Sequence, residues 1–210
     1  MYAKFIKRII DFVLSLIAII VLSPVLLILI VVGAIAMKGN PFFVQPRPGK
    51  MAKDGHERIF KLIKFRTMDN RKDKDGNLLP DEIRLNKYGR ILRSTSLDEL
   101  PELFNILVGD MSIIGPRPLL VKYLDRYTPE QRRRHEVRPG LTGLAMSRVR
   151  NGAGWDKKFE LDSYYVDHIS FVLDVKIIFW TVAIVLKREG INEEGFETNS
   201  EFMGVEKEKV

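Results

Sequence analysis

The chain has 210 residues, enough for one domain with a real core plus appendages. Lys and Arg number 34 against 27 acids, a net charge of +7 that suits an anionic partner: nucleic acid, an acidic membrane surface or a phosphorylated substrate. Cysteine is absent, which excludes a disulfide framework, a thiolate nucleophile and a Cys-based metal site; His56, His135 and His168 are too scattered for metal-ligand spacing and read as solvated surface residues.

From Phe12 to Met37 no residue is charged, about 26 positions where roughly 20 suffice to cross a bilayer core. Three readings stand. A secretory signal would use Lys4, Lys7 and Arg8 as its basic start and Ala34-Ile35-Ala36 as its cleavage site, but the apolar stretch is far too long for one. A plain spanning anchor is the second. The third is a re-entrant hairpin, bent at Ser23-Pro24, where proline removes an N–H and the Ser23 hydroxyl is placed to take up the freed carbonyl. Basic residues flank both ends, Lys4, Lys7 and Arg8 before, Lys38, Arg47, Lys50 and Lys53 after, so both ends prefer the cytoplasmic face. Sequence physics leaves spanning and re-entrant forms about even.

The proline-rich, aromatic stretch 40–49 suits a turn at headgroup level. Arg58 to Met68 alternates loosely and predicts a strand whose Lys61, Lys64 and Arg66 face either a phosphate or solvent. A polar loop from Asp69 to Asp81 follows; its acids lack the calcium-loop spacing. Ile83 to Leu92 is helical in pattern. Next comes Ser94-Thr95-Ser96-Leu97-Asp98-Glu99-Leu100-Pro101, two adjacent carboxylates between a hydroxyl-rich turn and an apolar helical run. On these residues alone the commoner meaning is a helix start, with Ser96 and Glu99 forming a capping box. The chemical alternative makes Asp98 a nucleophile toward phosphorus.

Prolines on both sides of Arg117 stiffen its loop, so that little entropy is lost when the guanidinium grips a phosphate. Tyr123 to Arg138 predicts a charged helix opened by Thr128-Pro129-Glu130, with Arg132-Arg133-Arg134 as a solvated face near anionic lipid. Val137 to Ala145 reads as a tight turn into a buried strand. Trp155 to His168 is helical. Phe171 to Leu186 reads as a buried or interfacial helix anchored by Trp180. Asp174 interrupts that apolar run, and an unpaired charge there is costly. It is expected to pair with a cation or a hydrogen-bond network near the site; an ion pair with Lys176 or a helix-start role fits as well. The tail from Glu189 is acidic, glycine-dotted and expected to be loosely ordered.

Taken together, Lys7-Arg8 with Asp11, Ser23-Pro24, Arg47-Pro48-Gly49, the segment 64–68, the segment 93–101, Gly115-Pro116-Arg117-Pro118 and Arg138-Pro139-Gly140-Leu141-Thr142-Gly143 resemble the small monotopic phosphoglycosyl transferases of bacteria, the catalytic module of the bacterial sugar transferase family. The resemblance covers nearly the whole chain and overturns the helix-start reading of Asp98. It implies an α+β fold: a re-entrant helix-break-helix over 1–38 broken at Ser23-Pro24, a mostly helical catalytic domain over 39–187 with a small sheet and interfacial amphipathic helices, and a tail over 188–210. It implies a monotopic enzyme on the cytoplasmic face of the bacterial inner membrane. That enzyme transfers a sugar 1-phosphate from a UDP-sugar to polyprenol (undecaprenyl) phosphate and releases UMP, with Mg2+ as cofactor. Asp98 would be the nucleophile and a magnesium ligand, and Glu99 its partner; Lys64, Arg93, Arg117, Arg150 and Asp174 would contact substrate. Partners would be the two substrates and membrane lipid, not nucleic acid; a homodimer is left open.

Two further features bear on the donor. After Gly143-Leu144-Ala145 the family commonly continues with glutamine, valine, asparagine, glycine, arginine and asparagine. Here Arg150 and Asn151 match but Met146, Arg148 and Val149 do not, which puts contacts from this loop in doubt. The stretch 155–162 and Glu194-Gly195-Phe196 look most like members acting on UDP-diacetylbacillosamine. The rival class is a membrane-tethered basic module for nucleic acid or anionic lipid, against which stands the lack of any helix-turn-helix, zinc or ribonucleoprotein pattern. A lipid phosphatase with an aspartyl-phosphate would release inorganic phosphate instead of UMP.

Overall fold

A computed structural model describes residues 1–149, 154–187 and 201–204. A π-helical turn, Tyr2–Ile6, leads into α1 (Lys7–Ala36), the one described helix long and apolar enough to cross a bilayer. The expected break at Ser23-Pro24 is not an interruption of this helix: Pro24 lies inside it. The Ser23 hydroxyl donates to the carbonyl of Ile20 at 2.8 Å, the acceptor that proline's missing N–H leaves open.

One stripe of α1 is packed along its whole length. Lys7, Asp11 and Ser15 are buried near its start; Ala18, Ile19 and Leu22 join a core of Phe60, Leu62, Leu103, Ile106 and Met111. Leu26, Leu29 and Ile30 pack with Phe65 and Leu92. At the far end the Tyr88 hydroxyl donates to the Leu29 carbonyl. The other faces of α1 are exposed and apolar. The helix therefore lies along the domain, held by it near both ends.

The proline-rich stretch is a strand, not a turn. β1 (Phe42–Met51) pairs antiparallel with β2 (Glu57–Phe65), Phe42 opposite Phe65 and Pro48 opposite Ile59, with an irregularity before Met51. A two-stranded ribbon leaves each strand one edge outside the ladder. Pro46 and Pro48, two residues apart, direct their missing donors to the same edge of β1. The helical pattern after the polar loop splits into α2 (Asp81–Arg84) and α3 (Lys87–Ser94), because Leu85 is extended and Asn86 caps α3 by accepting from the Gly89 N–H. Gly89 is required: a Cβ there would lie 1.9 Å from the Thr67 carbonyl oxygen.

α4 (Glu102–Val108) ends at Gly109, whose φ of +93° is the left-handed C-cap that glycine takes without strain. β3 (Ser112–Ile114) and β4 (Gly140–Thr142) form a short parallel pair. Between them, the expected single helix over 123–138 is instead a 3-10 turn, Val121–Arg126, then α5 (Pro129–Arg132) opened by a Thr128–Gln131 capping box, then a second 3-10 turn, Arg133–Glu136. Its arginines are not a solvated face. Arg134 is buried and pairs with Asp162 at 2.8 Å, while Arg132 grips Glu57 through two nitrogens. His135, expected at the surface, is buried with Nδ1 3.2 Å from the Gly49 carbonyl; burial, aided by Arg134, lowers its pKa to about 4, so it is neutral at physiological pH.

α6 (Leu144–Arg148), α7 (Trp155–His168) and α8 (Phe171–Lys187) complete the fold. α8 buries Ile177 beside Ile114, Leu144 and Tyr165, and exposes Phe171, Val172, Phe179 and Val182. Of the tail, 201–204 is docked rather than loose: Phe202 is buried against Tyr123 and Phe159, and Glu201 bridges Lys122 and Arg126. The architecture is a mixture of helices and two small sheets with one long apolar N-terminal helix.

Candidate active site

Asp98 and Glu99 sit on a 3-10 turn, Leu97–Glu99, between α3 and α4. The turn begins at Ser96, whose φ of +55° is left-handed, a conformation that costs a non-glycine residue roughly 1–3 kcal/mol and is tolerated where the surroundings enforce it. The capping box expected from Ser96 and Glu99 does not form, since Ser96 makes no side-chain cap. The Glu99 carboxylate is taken by two distant cations, accepting from Lys64 Nζ at 2.7 Å and Arg117 Nη2 at 3.0 Å. Lys64 comes from the end of β2 and Arg117 from the proline-flanked loop after β3. Burial pushes the Glu99 carboxyl up, but the charges of Arg117 and Lys64 outweigh it and bring its pKa down to about 2. Glu99 is therefore an anion fixed in place.

Asp98 is treated differently. Among the described residues no side chain hydrogen-bonds its carboxylate. Burial and then the neighbouring charge of Glu99 raise its pKa, against Lys64, Arg117 and Arg93. A carboxylate without a hydrogen-bonded partner, more basic than usual and surrounded by cations, is what a nucleophile toward an anionic phosphorus centre requires.

Arg117 is aimed from both sides. Arg134, locked by Asp162, donates to the Arg117 carbonyl at 2.8 Å, and Arg47 donates to the Pro118 carbonyl at 3.0 Å. The Arg117 side chain remains half exposed, so it can meet an incoming phosphate while it holds Glu99. Arg93 holds Thr67 through Nε at 3.1 Å and lies close enough to Asp98 to lower its pKa. The structure thus brings together Asp98, Glu99, Lys64, Arg93 and Arg117 from four separate stretches of chain.

Two other residues were expected at the site. Arg150 lies outside the described residues, as does Asn151. Asp174 is buried in a separate knot. Its carboxylate accepts from Lys7 Nζ at 2.9 Å, the Tyr165 hydroxyl at 2.7 Å and the Tyr2 hydroxyl at 2.5 Å. It has the cation and the network foreseen for it; the cation is Lys7, not the alternative Lys176, and the group fastens α8 to α1. The departures after Ala145 are also placed. The Met146 sulfur lies 3.5 Å from Arg117 Nη1, and Arg148 stacks over Trp180 at 4.3 Å. Met146 therefore borders the site and Arg148 covers the α8 surface.

Sequence reasoning missed Glu102, Arg47 and Arg134. Glu102 is buried on the first turn of α4, 3.0 Å from Lys64, which it shares with Glu99. Burial, with the Glu99 charge added and Lys64 opposing, raises its pKa to about 7. Its only sequence signal was an acid at the fourth position after Asp98, which a helix start explains without any site. For magnesium, no cluster of three or more acid or histidine ligands occurs among the described residues. A hard cation held by one or two carboxylates plus substrate phosphates needs no such cluster, and the free Asp98 carboxylate fits that role.

Residues 2–188 match the bacterial sugar transferase family. The chain is 48% identical over 198 residues to an uncharacterised sugar transferase, EpsL, of Bacillus subtilis, covering 94% of this chain and 96% of that protein. It is 38% identical to a UDP-glucose:undecaprenyl-phosphate glucose-1-phosphate transferase of Klebsiella pneumoniae. It is equally 38% identical to a UDP-N-acetylgalactosamine-undecaprenyl-phosphate N-acetylgalactosaminephosphotransferase of Aeromonas hydrophila. These matches cover 84% and 87% of this chain but only 39% and 44% of the two longer relatives. By a match over nearly its whole length, the chain belongs to the bacterial sugar transferase family and is an enzyme of that class.

Proposed function

We propose that the protein moves a sugar 1-phosphate from a UDP-sugar to polyprenol phosphate in two displacements through Asp98. An Asp98 oxygen attacks the β-phosphorus; the bond to the bridging oxygen breaks and UMP leaves with the electron pair. A polyprenol phosphate oxygen then attacks the same phosphorus, and Asp98 departs as a carboxylate. The acceptor is already an anion, so no strong general base is needed. The observation that carries this reading is the contrast within the dyad, Glu99 pinned by Lys64 and Arg117 and Asp98 left free beside them.

The cations do the electrostatic work. Donor diphosphate, nucleophile and acceptor phosphate are all negative, and Lys64, Arg93 and Arg117 offset the charge that accumulates as they meet. Magnesium, held by Asp98 with the donor phosphates, would supply further neutralisation of the diphosphate. Glu99 orients Lys64 and Arg117 and contributes through them.

The membrane seating belongs to the same proposal. α1 lies in one leaflet with both ends on the cytoplasmic face. In support, Lys7 and Arg8 at one end and Leu29 and Gly33 at the other meet the same charged domain. With α8 exposing a second apolar face, the site is held at the depth of the acceptor's phosphate. For the donor, Trp155 and Phe159 from the bacillosamine-like stretch form an aromatic cluster with Phe202, and UDP-diacetylbacillosamine leads the panel to be tried.

The test uses purified protein and donor labelled in the β-phosphate. Wild type is expected to retain label covalently on Asp98 and to release UMP before acceptor is added; Asp98→Asn does neither. Release of inorganic phosphate instead, or equal UMP from the variant, defeats the reading. For topology, a cysteine near residue 2 and another at 38 should both label only from the cytoplasmic side.

A further inference from the structure

A cavity of about 240 Å³ between the far end of the β1–β2 ribbon and the end of α4 takes no part in the site above. Its walls include Lys50, Arg58, Arg138, Phe60, Gly109 and Asp110. Arg58 and Lys64 lie six residues apart on β2, roughly 20 Å at the rise of a strand, so this is a different place from the Asp98 cluster.

The charges here do not balance. Three cations face one carboxylate, and among the described residues Asp110 reaches only Arg58, at 4.0 Å. Arg138 donates Nε to the Gly109 carbonyl at 2.8 Å, and among the described residues its two terminal nitrogens have no partner. Arg8 stands on the other side of Gly109: its guanidinium lies 3.2 Å from the point a Gly109 Cβ would occupy, and it donates to the Ile106 and Leu107 carbonyls at 2.6 and 2.7 Å. Two guanidiniums therefore converge on the end of one short helix, held by carbonyl dipoles and, among the described residues, in no ion pair. Burial and then Arg8 lower the pKa of Arg138, with Asp11 acting against them.

The cavity also borders the apolar surface. Val108, next to Gly109, is 71% exposed, and Phe5, Ile9 and Phe12 flank Arg8 on the open side of the N-terminal helix. Apolar side chains that give way to a basic hollow over a few residues occupy the depth at which lipid tails give way to phosphates.

We propose that this hollow is a binding site for a phosphate group, gripped by Lys50, Arg58 and the open face of Arg138, and that an anionic phospholipid supplies it. Only the source of the phosphate rests on the membrane seating proposed above; the site itself rests on the cavity and its charges.

The experiment uses the full chain in phosphatidylcholine-containing detergent micelles. Short-chain phosphatidylglycerol, or inorganic phosphate in a parallel arm, is titrated in, and bound adducts are counted by native mass spectrometry. Wild type is expected to hold phosphatidylglycerol in preference to phosphatidylcholine. Lys50→Ala with Arg58→Ala should weaken that binding by about 20–30-fold, about fivefold per basic residue. A control removing the same charge elsewhere, Lys74→Ala with Lys87→Ala, should stay within about twofold of wild type. Binding of inorganic phosphate that is lost in the same double variant would keep the site and assign it a soluble source. Equal retention of both lipids with no phosphate uptake, or a preference that survives the double variant, overturns the site. UMP release by the double variant is measured alongside and should stay within about twofold of wild type. A large fall there would merge the hollow with the catalytic centre and overturn its separateness, whereas failure of Asp98 labelling would bear on the catalytic proposal alone.

Discussion

The Lys7–Asp11–Asp174 cluster and the Asp98–Glu99–Glu102 cluster are made from the same kinds of side chain, yet they are resolved in opposite ways. In the first, every carboxylate is matched. Asp174 accepts from Lys7, Tyr165 and Tyr2, and Asp11 accepts from the Ser112 hydroxyl at 2.8 Å and the Ile113 N–H at 3.0 Å. In the second, three carboxyls share Lys64 and Arg117, and the sharing is uneven. Glu99 takes both cations, Glu102 competes for one, and Asp98 is left over. Satisfaction is what separates the two roles: a buried acid with all its partners is a fastener, and one deprived of them beside cations that its neighbours hold is ready to react.

The sharpest way to break this contrast is Asp98→Asn. Removing the deprived acid should lower turnover by at least about 10³-fold, the scale of losing a covalent nucleophile, and leave the melting temperature nearly unchanged. In the satisfied cluster the effects should reverse. Asp174→Asn leaves buried Lys7 with only Asp11, at 3.9 Å, as a counter-charge and should cost about 2–4 kcal/mol of stability in denaturant unfolding; pairing it with Lys7→Met should restore much of that. A smaller effect comes from Arg117→Lys. Losing the planar fork should cost roughly 10–100-fold in kcat/KM while the fold persists.

The mildest probe is Glu102→Gln. A carboxyl whose folded pKa of about 7 exceeds its unfolded value binds protons preferentially in the folded state, so its contribution to stability falls as pH rises from about 4.5 to 7. Glu102→Gln should remove that decline, worth about 2–3 kcal/mol when unfolding at pH 8 is compared with pH 5. A variant with the same slope as wild type would locate the proton elsewhere.

What could be read from the sequence was local or motif-bound. The helix over 155–168 follows its periodicity, and Asp98, Glu99, Lys64, Arg93 and Arg117 stand in segments long enough to be identified and do converge in space. What could not be read depended on a remote partner. The Ser96–Glu99 cap was reasonable chemistry in isolation and lost to two cations that arrive from β2 and from the loop after β3. Arg134 looked like one of three solvated arginines because Asp162 lies on another helix. Asp174 pointed to a nearby cation because Lys7 is 167 residues away. Pro46 and Pro48 argued against a strand, and only the free outer edge of a two-stranded ribbon makes them harmless.

The Lys7–Asp174 fastener also sets an order of events during synthesis. α1 leaves the ribosome before the elements it packs against, carrying Lys7, Asp11 and Ser15 on a stripe that has nothing yet to meet. Ser112 and Asp174 follow more than 100 residues later, a delay on the order of 10–30 s at ordinary translation speeds. For that interval the nascent chain holds a greasy rod whose Lys7 and Asp11 have only each other. The stripe stays uncovered by its own domain until α8 emerges to close the lock.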